Sequence, residues 1–191
     1  MKTLLNIHAI IPSSRVNGPG ARVVVFFQGC GRSCPGCFNP ETHSFEEREI
    51  LSVDEIFERL PDAAVEGLTV SGGEPFAQAE GLALLLKGAR ARSLSTVVYT
   101  GYAIEELNKI EAAREAVKYI DVLVDGPFIE GDKEPTLLAR GSSNQRFHFL
   151  TDRYTEDDFI MDGKVEVTIK KDGAIVETGF SRVPFRAGFG R

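Results

Sequence analysis

The chain has 191 residues, 42% of them hydrophobic, and a formal net charge of −6. That length supports one sizeable core, no apolar run approaches a membrane span, and the acidic balance excludes a general nucleic-acid-binding surface. Three cysteines crowded into one stretch exclude a disulfide framework and fit a reducing compartment; with no secretory leader pattern at the start, cytoplasmic residence is expected.

In chain order, Leu4 to Ile11 reads as a buried strand, ended by Pro12 and a polar, Gly/Pro-rich turn through Gly20. Arg22 to Gln28 reads as a second strand; its continuous run Val23-Val24-Val25-Phe26-Phe27 fits a parallel strand covered on both faces. Ser52, with Glu55 three residues on, predicts a capping box that opens a helix from Val53 to Leu60. Gly67 to Val70 is a short strand leading into Ser71-Gly72-Gly73-Glu74-Pro75 and a helix from Gln78 to Arg92. Ser95 to Thr100 is the next strand, Ile104 to Lys118 the next helix, and Ile120 to Val124 a strand ending at Asp125-Gly126. Repeated βα alternation predicts a parallel sheet with right-handed crossovers and chemistry in the loops at the strands' C-terminal ends.

All three cysteines lie in Cys30-Gly31-Arg32-Ser33-Cys34-Pro35-Gly36-Cys37, after the second strand. Thiolates bind iron and zinc, and three on one tight loop can hold three irons of a cubane cluster while leaving the fourth iron open, which reads as catalytic. The alternative is a zinc site of three thiolates completed by His43, although structural zinc sites usually pair a short knuckle with a second, distant ligand pair. Gly72-Gly73-Glu74-Pro75 supplies flexible backbone and one carboxylate at a strand end, where an ordinary turn with a first-turn acid is the plain reading. Thr100-Gly101-Tyr102 and Asp125-Gly126-Pro127 end the next two strands and are ordinary turns on the same terms. His8, His43 and His148 are read as structural or surface residues.

The cysteine spacing followed at once by Phe38 resembles the cluster motif of the radical S-adenosylmethionine (SAM) superfamily. The order of segments, Gly18-Pro19-Gly20, Cys37-Phe38-Asn39-Pro40-Glu41-Thr42, Ser71 to Pro75, Thr100-Gly101-Tyr102, Asp121 to Phe128 and Arg140-Gly141-Ser142-Ser143-Asn144-Gln145-Arg146, resembles the subgroup that activates anaerobic ribonucleoside-triphosphate reductase. The resemblance implies a partial, open parallel (βα) barrel within an α/β fold. It also implies a 4Fe-4S cluster on Cys30, Cys34 and Cys37, with SAM chelating the open iron. Phe38 is then expected near the adenine, and Gly72, Gly73, Glu74 and Pro75 near the methionine part of SAM. Thr100, Gly101, Asp125, Asn144 and Gln145 are expected to complete that pocket, while Arg140 and Arg146 remain divided between site and solvent. The implied reaction is reductive cleavage of SAM, with an electron from flavodoxin or ferredoxin, to a 5′-deoxyadenosyl radical that makes a glycyl radical on a partner enzyme.

The resemblance covers roughly residues 4 to 150, so a core domain 1–150 and an extension 151–191 are expected. Lys164 to Ile169 and Ala174 to Phe180 read as a β-hairpin around Lys171-Asp172-Gly173, and the Arg/Phe-rich end from Arg182 as a docking segment or a tail. Two further classes stay open. One is a radical SAM enzyme acting on another protein, a peptide or a small molecule, such as a deazapurine synthase; the other is a non-enzymatic metal-binding module.

Overall fold

The structure, a computed structural model, describes residues 3–60, 64–136, 138–161, 165–169 and 175–179. Its centre is a seven-stranded mixed sheet in the order β3-β1-β2-β4-β5-β6-β7. These strands are β1 (Leu4–Ser14), β2 (Arg22–Phe27), β3 (Glu49–Ser52), β4 (Gly67–Gly72), β5 (Ser95–Tyr99), β6 (Val122–Asp125) and β7 (Arg146–Phe149). Strands β2, β4, β5 and β6 run parallel, as the alternation predicts, whereas β1, β3 and β7 are antiparallel to their neighbours.

Strand β1 departs from the expected buried strand: it runs through Pro12 to Ser14, and Leu4 is exposed while Leu5 and Ile7 are buried. A strand that pairs antiparallel on the flank has one face to cover, so its apolar run is only half buried. Neither β3 nor β7 is in the sequence reading, being four residues each. The helices are α1 (Val53–Glu58), α2 (Ala79–Ala91), α3 (Ile104–Leu107) and α4 (Glu111–Val117). Ser52 and Glu55 form the predicted capping box on α1, but the helix expected from Ile104 to Lys118 is two, separated where Ile110 turns extended.

Strand residues alternate between two faces with period two. Val23, Val25, Phe27, Leu68, Val70, Val98 and Leu123 point to the helical side and share a core with Leu82, Leu85, Leu86 and Ala89 of α2. Val97 and Val122 point the other way and pack with Ala139 and Phe159. On that second face Arg22 is fully buried. Its guanidinium donates to Thr69 Oγ1 (2.8 Å), Ser95 Oγ (2.9 Å) and the carbonyls of Pro19 (3.0 Å) and Leu68 (3.0 Å). It thereby ties together the N-terminal ends of β2, β4 and β5. Tyr154, beyond residue 150, donates to Ser95 Oγ at 2.8 Å, so residues 151–161 cover this face beside Phe159.

The expected hairpin is β8 (Val165–Ile169) paired antiparallel with β9 (Ile175–Gly179). Its turn and the Arg/Phe-rich end lie outside the described residues. Among the described residues no helix is long and apolar enough to cross a membrane.

A test of the Arg22 network follows from Gly67, where an added Cβ would sit 2.3 Å from Ser95 Oγ and 2.5 Å from the Arg22 guanidinium nitrogens. Gly67→Ala is expected to destabilise the apo-protein by about 1–3 kcal/mol in urea unfolding under reducing conditions. Gly131→Ala, with nothing within 4 Å of its Cβ, is the control; equal midpoints for the two variants would show that the network has slack.

Candidate active site

The parallel register brings Phe27 level with Gly72, so the loops leaving β2 and β4 start side by side. Gly72 has φ +100, and a Cβ there would lie 2.5 Å from Phe27 N. Gly73 N–H donates to the Phe27 carbonyl (2.8 Å), and Glu74 N–H donates to the Gly29 carbonyl (2.9 Å). A Cβ on Gly73 would meet that same carbonyl oxygen at 2.4 Å. The glycine pair therefore lies backbone to backbone against the start of the cysteine loop, which only residues without side chains permit.

The loop itself is held from behind: Gly29 N–H donates to the Thr42 carbonyl (2.8 Å) and Cys30 N–H to the His43 carbonyl (3.1 Å). Ser33 (φ +46) and Gly36 (φ +66) turn the chain left-handed between the cysteines. Cys30, Cys34 and Cys37 are free, partly exposed thiols facing one cavity of about 380 Å³. Burial raises the pKa of Cys37 against an opposing hydrogen bond from the Asn39 N–H, 3.4 Å from its sulfur.

The donor set fits a polynuclear cluster. Three thiols around one glycine-lined cavity can supply one sulfur to each of three irons. His43, the expected fourth ligand of the zinc alternative, lines the same cavity with its buried Nε2 unpartnered.

Glu74 is buried, and burial pushes its pKa up although its carboxylate accepts from Thr100 Oγ1 (2.7 Å), Gly101 N–H (2.8 Å) and Phe76 N–H (3.0 Å). Arg32, from between the first two cysteines, stacks 4.2 Å over the Tyr102 ring and brings Nε within 3.9 Å of the Glu74 carboxylate. One acid thus joins the ends of β4 and β5 to the cysteine loop. On the far side, Gln145 donates to the Gly126 carbonyl (3.0 Å) and accepts from Gly141 N–H (2.8 Å). Phe38 packs on Phe128 with ring centroids 5.0 Å apart.

The cavity brings together the three cysteines with Phe38, Gly72, Gly73, Glu74, Thr100, Gly101 and Gln145. Pro75, Asp125 and Asn144 do not line it. Pro75 is buried at the start of a short helical turn, and Asn144 is exposed, donating to the Pro127 carbonyl (2.8 Å). Asp125 is engaged behind the site, accepting from Ile104 N–H (2.7 Å) and from Arg146 at 3.0 and 2.6 Å, with His148 Nε2 3.0 Å away. Arg146 therefore belongs to this ion pair. Arg140 pairs with Glu134 and donates to the Gln145 carbonyl (2.7 Å).

Sequence reading missed Asn17, Phe26, Ser71, Tyr99, Phe128, Thr178 and Gly179 in the lining. Phe26, Ser71 and Tyr99 carry a period-two signal: each is the upper residue of its strand on the helix-free face. Nothing in the sequence points to Thr178 and Gly179.

Two variants test this arrangement. Gly73→Ala is expected to lower iron incorporation as well as SAM affinity, since its Cβ meets the backbone of Gly29 and not merely cofactor space; native iron content with native SAM affinity would show that the loops are independent. Burial alone would raise the Asp125 pKa, but Arg146, the Ile104 N–H and His148 outweigh it and hold the carboxyl below its ordinary value. That stabilisation is present above the unfolded value of about 3.9 and is lost as pH falls through the folded value. Asp125→Asn is expected to cost about 1–3 kcal/mol at neutral pH, and the gap from the native apo-protein should close in acid. A gap independent of pH would sink the ion-pair account.

The sequence profile described as a 4Fe-4S single cluster domain matches residues 16–148. The anaerobic ribonucleoside-triphosphate reductase-activating protein of Escherichia coli K12 is 37% identical over 155 residues, covering 76% of this chain and 99% of that one. The proteins of the same name from Vibrio cholerae and phage T4 are 36% and 34% identical, covering 77% and 78% of this chain and 99% and 96% of theirs. The solved structure of QueE from Escherichia coli aligns over 53% of both chains with a TM-score of 0.39 and 15% identity, too distant a likeness to carry an argument. With a cluster-domain profile over most of its length and relatives matched nearly end to end, the chain belongs to the family of anaerobic ribonucleoside-triphosphate reductase-activating proteins.

Proposed function

We propose that this chain is a radical SAM activase that generates a glycyl radical on anaerobic ribonucleoside-triphosphate reductase, in the cytoplasm, with flavodoxin or ferredoxin as electron donor. The observation that carries the reading is the single cavity shared by the three cysteines and the Gly72-Gly73-Glu74 loop. When bound, the 4Fe-4S cluster and SAM supply one-electron cleavage of the sulfonium and an adenosyl radical able to take hydrogen from a glycine Cα.

In this reading Cys30, Cys34 and Cys37 each hold one iron, and the Asn39 N–H steadies the Cys37 sulfur. Gly72 and Gly73 offer bare backbone to the methionine part of SAM. Glu74 holds Thr100 and Gly101 in place and keeps acceptor capacity for an ammonium group. Phe38, braced by Phe128, flanks the adenine, and Gln145 fixes the far wall through Gly126. Asp125, Pro75 and Asn144 act behind the site by positioning its loops.

We read the four parallel strands β2, β4, β5 and β6 of the mixed sheet as the partial, open parallel (βα) barrel of radical SAM enzymes, with β1, β3 and β7 added antiparallel at its flanks. Residues 1–150 form its core, 151–161 brace the helix-free face, and the hairpin is the addition. The cavity volume of about 380 Å³ supports a substrate that arrives from outside. It is at the low end of the ~300–1,000 Å³ typical of ligand sites, so cluster and SAM leave little room for an enclosed small substrate.

Single replacement of Cys30, Cys34 or Cys37 by Ala is expected to abolish SAM cleavage under dithionite while the apo-protein keeps its unfolding midpoint; native 5′-deoxyadenosine production by a variant would remove that cysteine as a ligand. Anaerobic incubation of the reconstituted chain with the reductase, SAM and reductant is expected to give a doublet glycyl-radical signal in electron spin resonance. Brisk SAM cleavage with no radical on the reductase would refute the assigned partner.

A further inference from the structure

The profile-matched segment ends at residue 148, yet the cavity that holds the cysteines is also lined by Thr178 and Gly179 of β9. Two tethers bring the hairpin there. Glu166 of β8 accepts the Arg15 N–H at 2.8 Å, and Thr178 Oγ1 lies 2.9 Å from Asn17 Nδ2 and 3.2 Å from Asn17 Oδ1. Asn17 is itself fixed: its carbonyl accepts from Thr69 Oγ1 (2.8 Å), and its amide donates to Ser14 Oγ (2.8 Å). Thr69 points to the helix-free face, where Arg22 grips the same hydroxyl (2.8 Å). The hairpin is therefore anchored through Asn17 to the sheet, on the face away from the α-helices.

We propose that the hairpin β8–β9 is a substrate-selecting wall, and that Thr178 and Gly179 border the opening through which the reductase's glycine-bearing segment reaches SAM. The proposal rests on the reading of function above. Its occupant follows from what the hairpin brings to the cavity: Thr178 and Asn17 are spent on one another and on Ser14, which leaves strand main chain and the bare backbone of Gly179 at this edge, while the aromatic lining, Phe26, Phe38, Tyr99 and Phe128, lies outside the hairpin. Main chain of this kind pairs with main-chain N–H and C=O, and a strand pair beside an opening lets an extended segment add such hydrogen bonds. A glycine and its flanking peptide groups offer that recognition and little else. The wall does not chelate SAM; it selects the chain that approaches it.

The test uses the full chain with its cluster reconstituted and the intact reductase. Hydrogen exchange at the amides of 165–169 and 175–179 is expected to slow when the reductase is added, before any SAM is present. Thr178→Arg is expected to weaken reductase binding by about tenfold or more, the scale of a lost interface anchor, and to lower the glycyl radical formed per SAM cleaved. Thr178→Ser, which keeps the hydroxyl, should restore both. Unchanged exchange in the hairpin, or a radical yield per SAM that is unchanged or higher in Thr178→Arg, overturns the proposal. So does a loss of SAM affinity equal to the loss of reductase affinity, which would make the hairpin part of the cofactor pocket. Failure of the native chain to make any radical on the reductase overturns the functional reading along with it, and is told apart because it appears without any substitution.

Discussion

The carbonyl of Gly29 is where the two sequence motifs become one site. It accepts the Glu74 N–H at 2.9 Å and stands where a Cβ on residue 73 would have to be. Register sets this contact up: with Phe27 opposite Gly72 in a parallel pair, the next residues of both chains leave the sheet at one level and must either diverge or touch. Two glycines let them touch. Every later relation then follows from that fixed point, since Glu74 reaches the end of β5 through Thr100 and Gly101, and Arg32 leans back from the cysteine loop over Tyr102. A cluster loop without secondary structure of its own is thus placed by three strand ends.

The same strands carry an opposite demand at their other ends. Arg22, buried on the face away from the α-helices, donates to neutral oxygens of Thr69, Ser95, Pro19, Leu68 and Tyr154. Burial depresses its pKa, with Tyr154 opposing that shift. A buried cation is costly unless its donors are satisfied, so Arg22 fixes the positions of the groups that satisfy them. The strap from Ser14 to Gly20 is held down in this way, and Asn17, on that strap, reaches the cavity. Rigidity at one end of the parallel strands is what lets the loops at the other end be shaped by chemistry.

Much of this was legible in the sequence, for physical reasons that also mark where legibility stopped. β2 is legible because both of its faces are covered, giving a continuous apolar run, β4, β5 and β6 through their alternation with helical stretches, and the α1 capping box through Ser52 and Glu55. β1 differs from its sequence reading in extent and burial because an antiparallel flank tolerates Pro12 and a half-exposed face. β3 and β7 are too short to show periodicity. At the site, motif residues whose backbone does the work, such as Gly72 and Gly73, were legible, since only glycine tolerates those contacts. Asp125 was not: a carboxylate at a strand end looks the same on paper whether it faces the cavity or, as here, turns back to Arg146 and His148.

The division of labour between the sheet's faces bears on how a radical enzyme can act on a large partner. One face is sealed by α1, α2 and α4 around a continuous apolar core, so nothing enters there. The other is covered by pieces that are not α-helices: the strap, the aromatic segment around Phe159 with its single 3-10 turn, and the end of the hairpin. Such a cover can be locally thin without unsealing the main core, because Val97, Val122, Ala139 and Phe159 form a small cluster of their own. Loops and hairpins tolerate insertion better than packed helices do. An addition after the family segment therefore has its least disruptive landing place on this face, beside the cavity, where it can alter what the site meets while leaving the contact between Gly29 and Glu74 untouched.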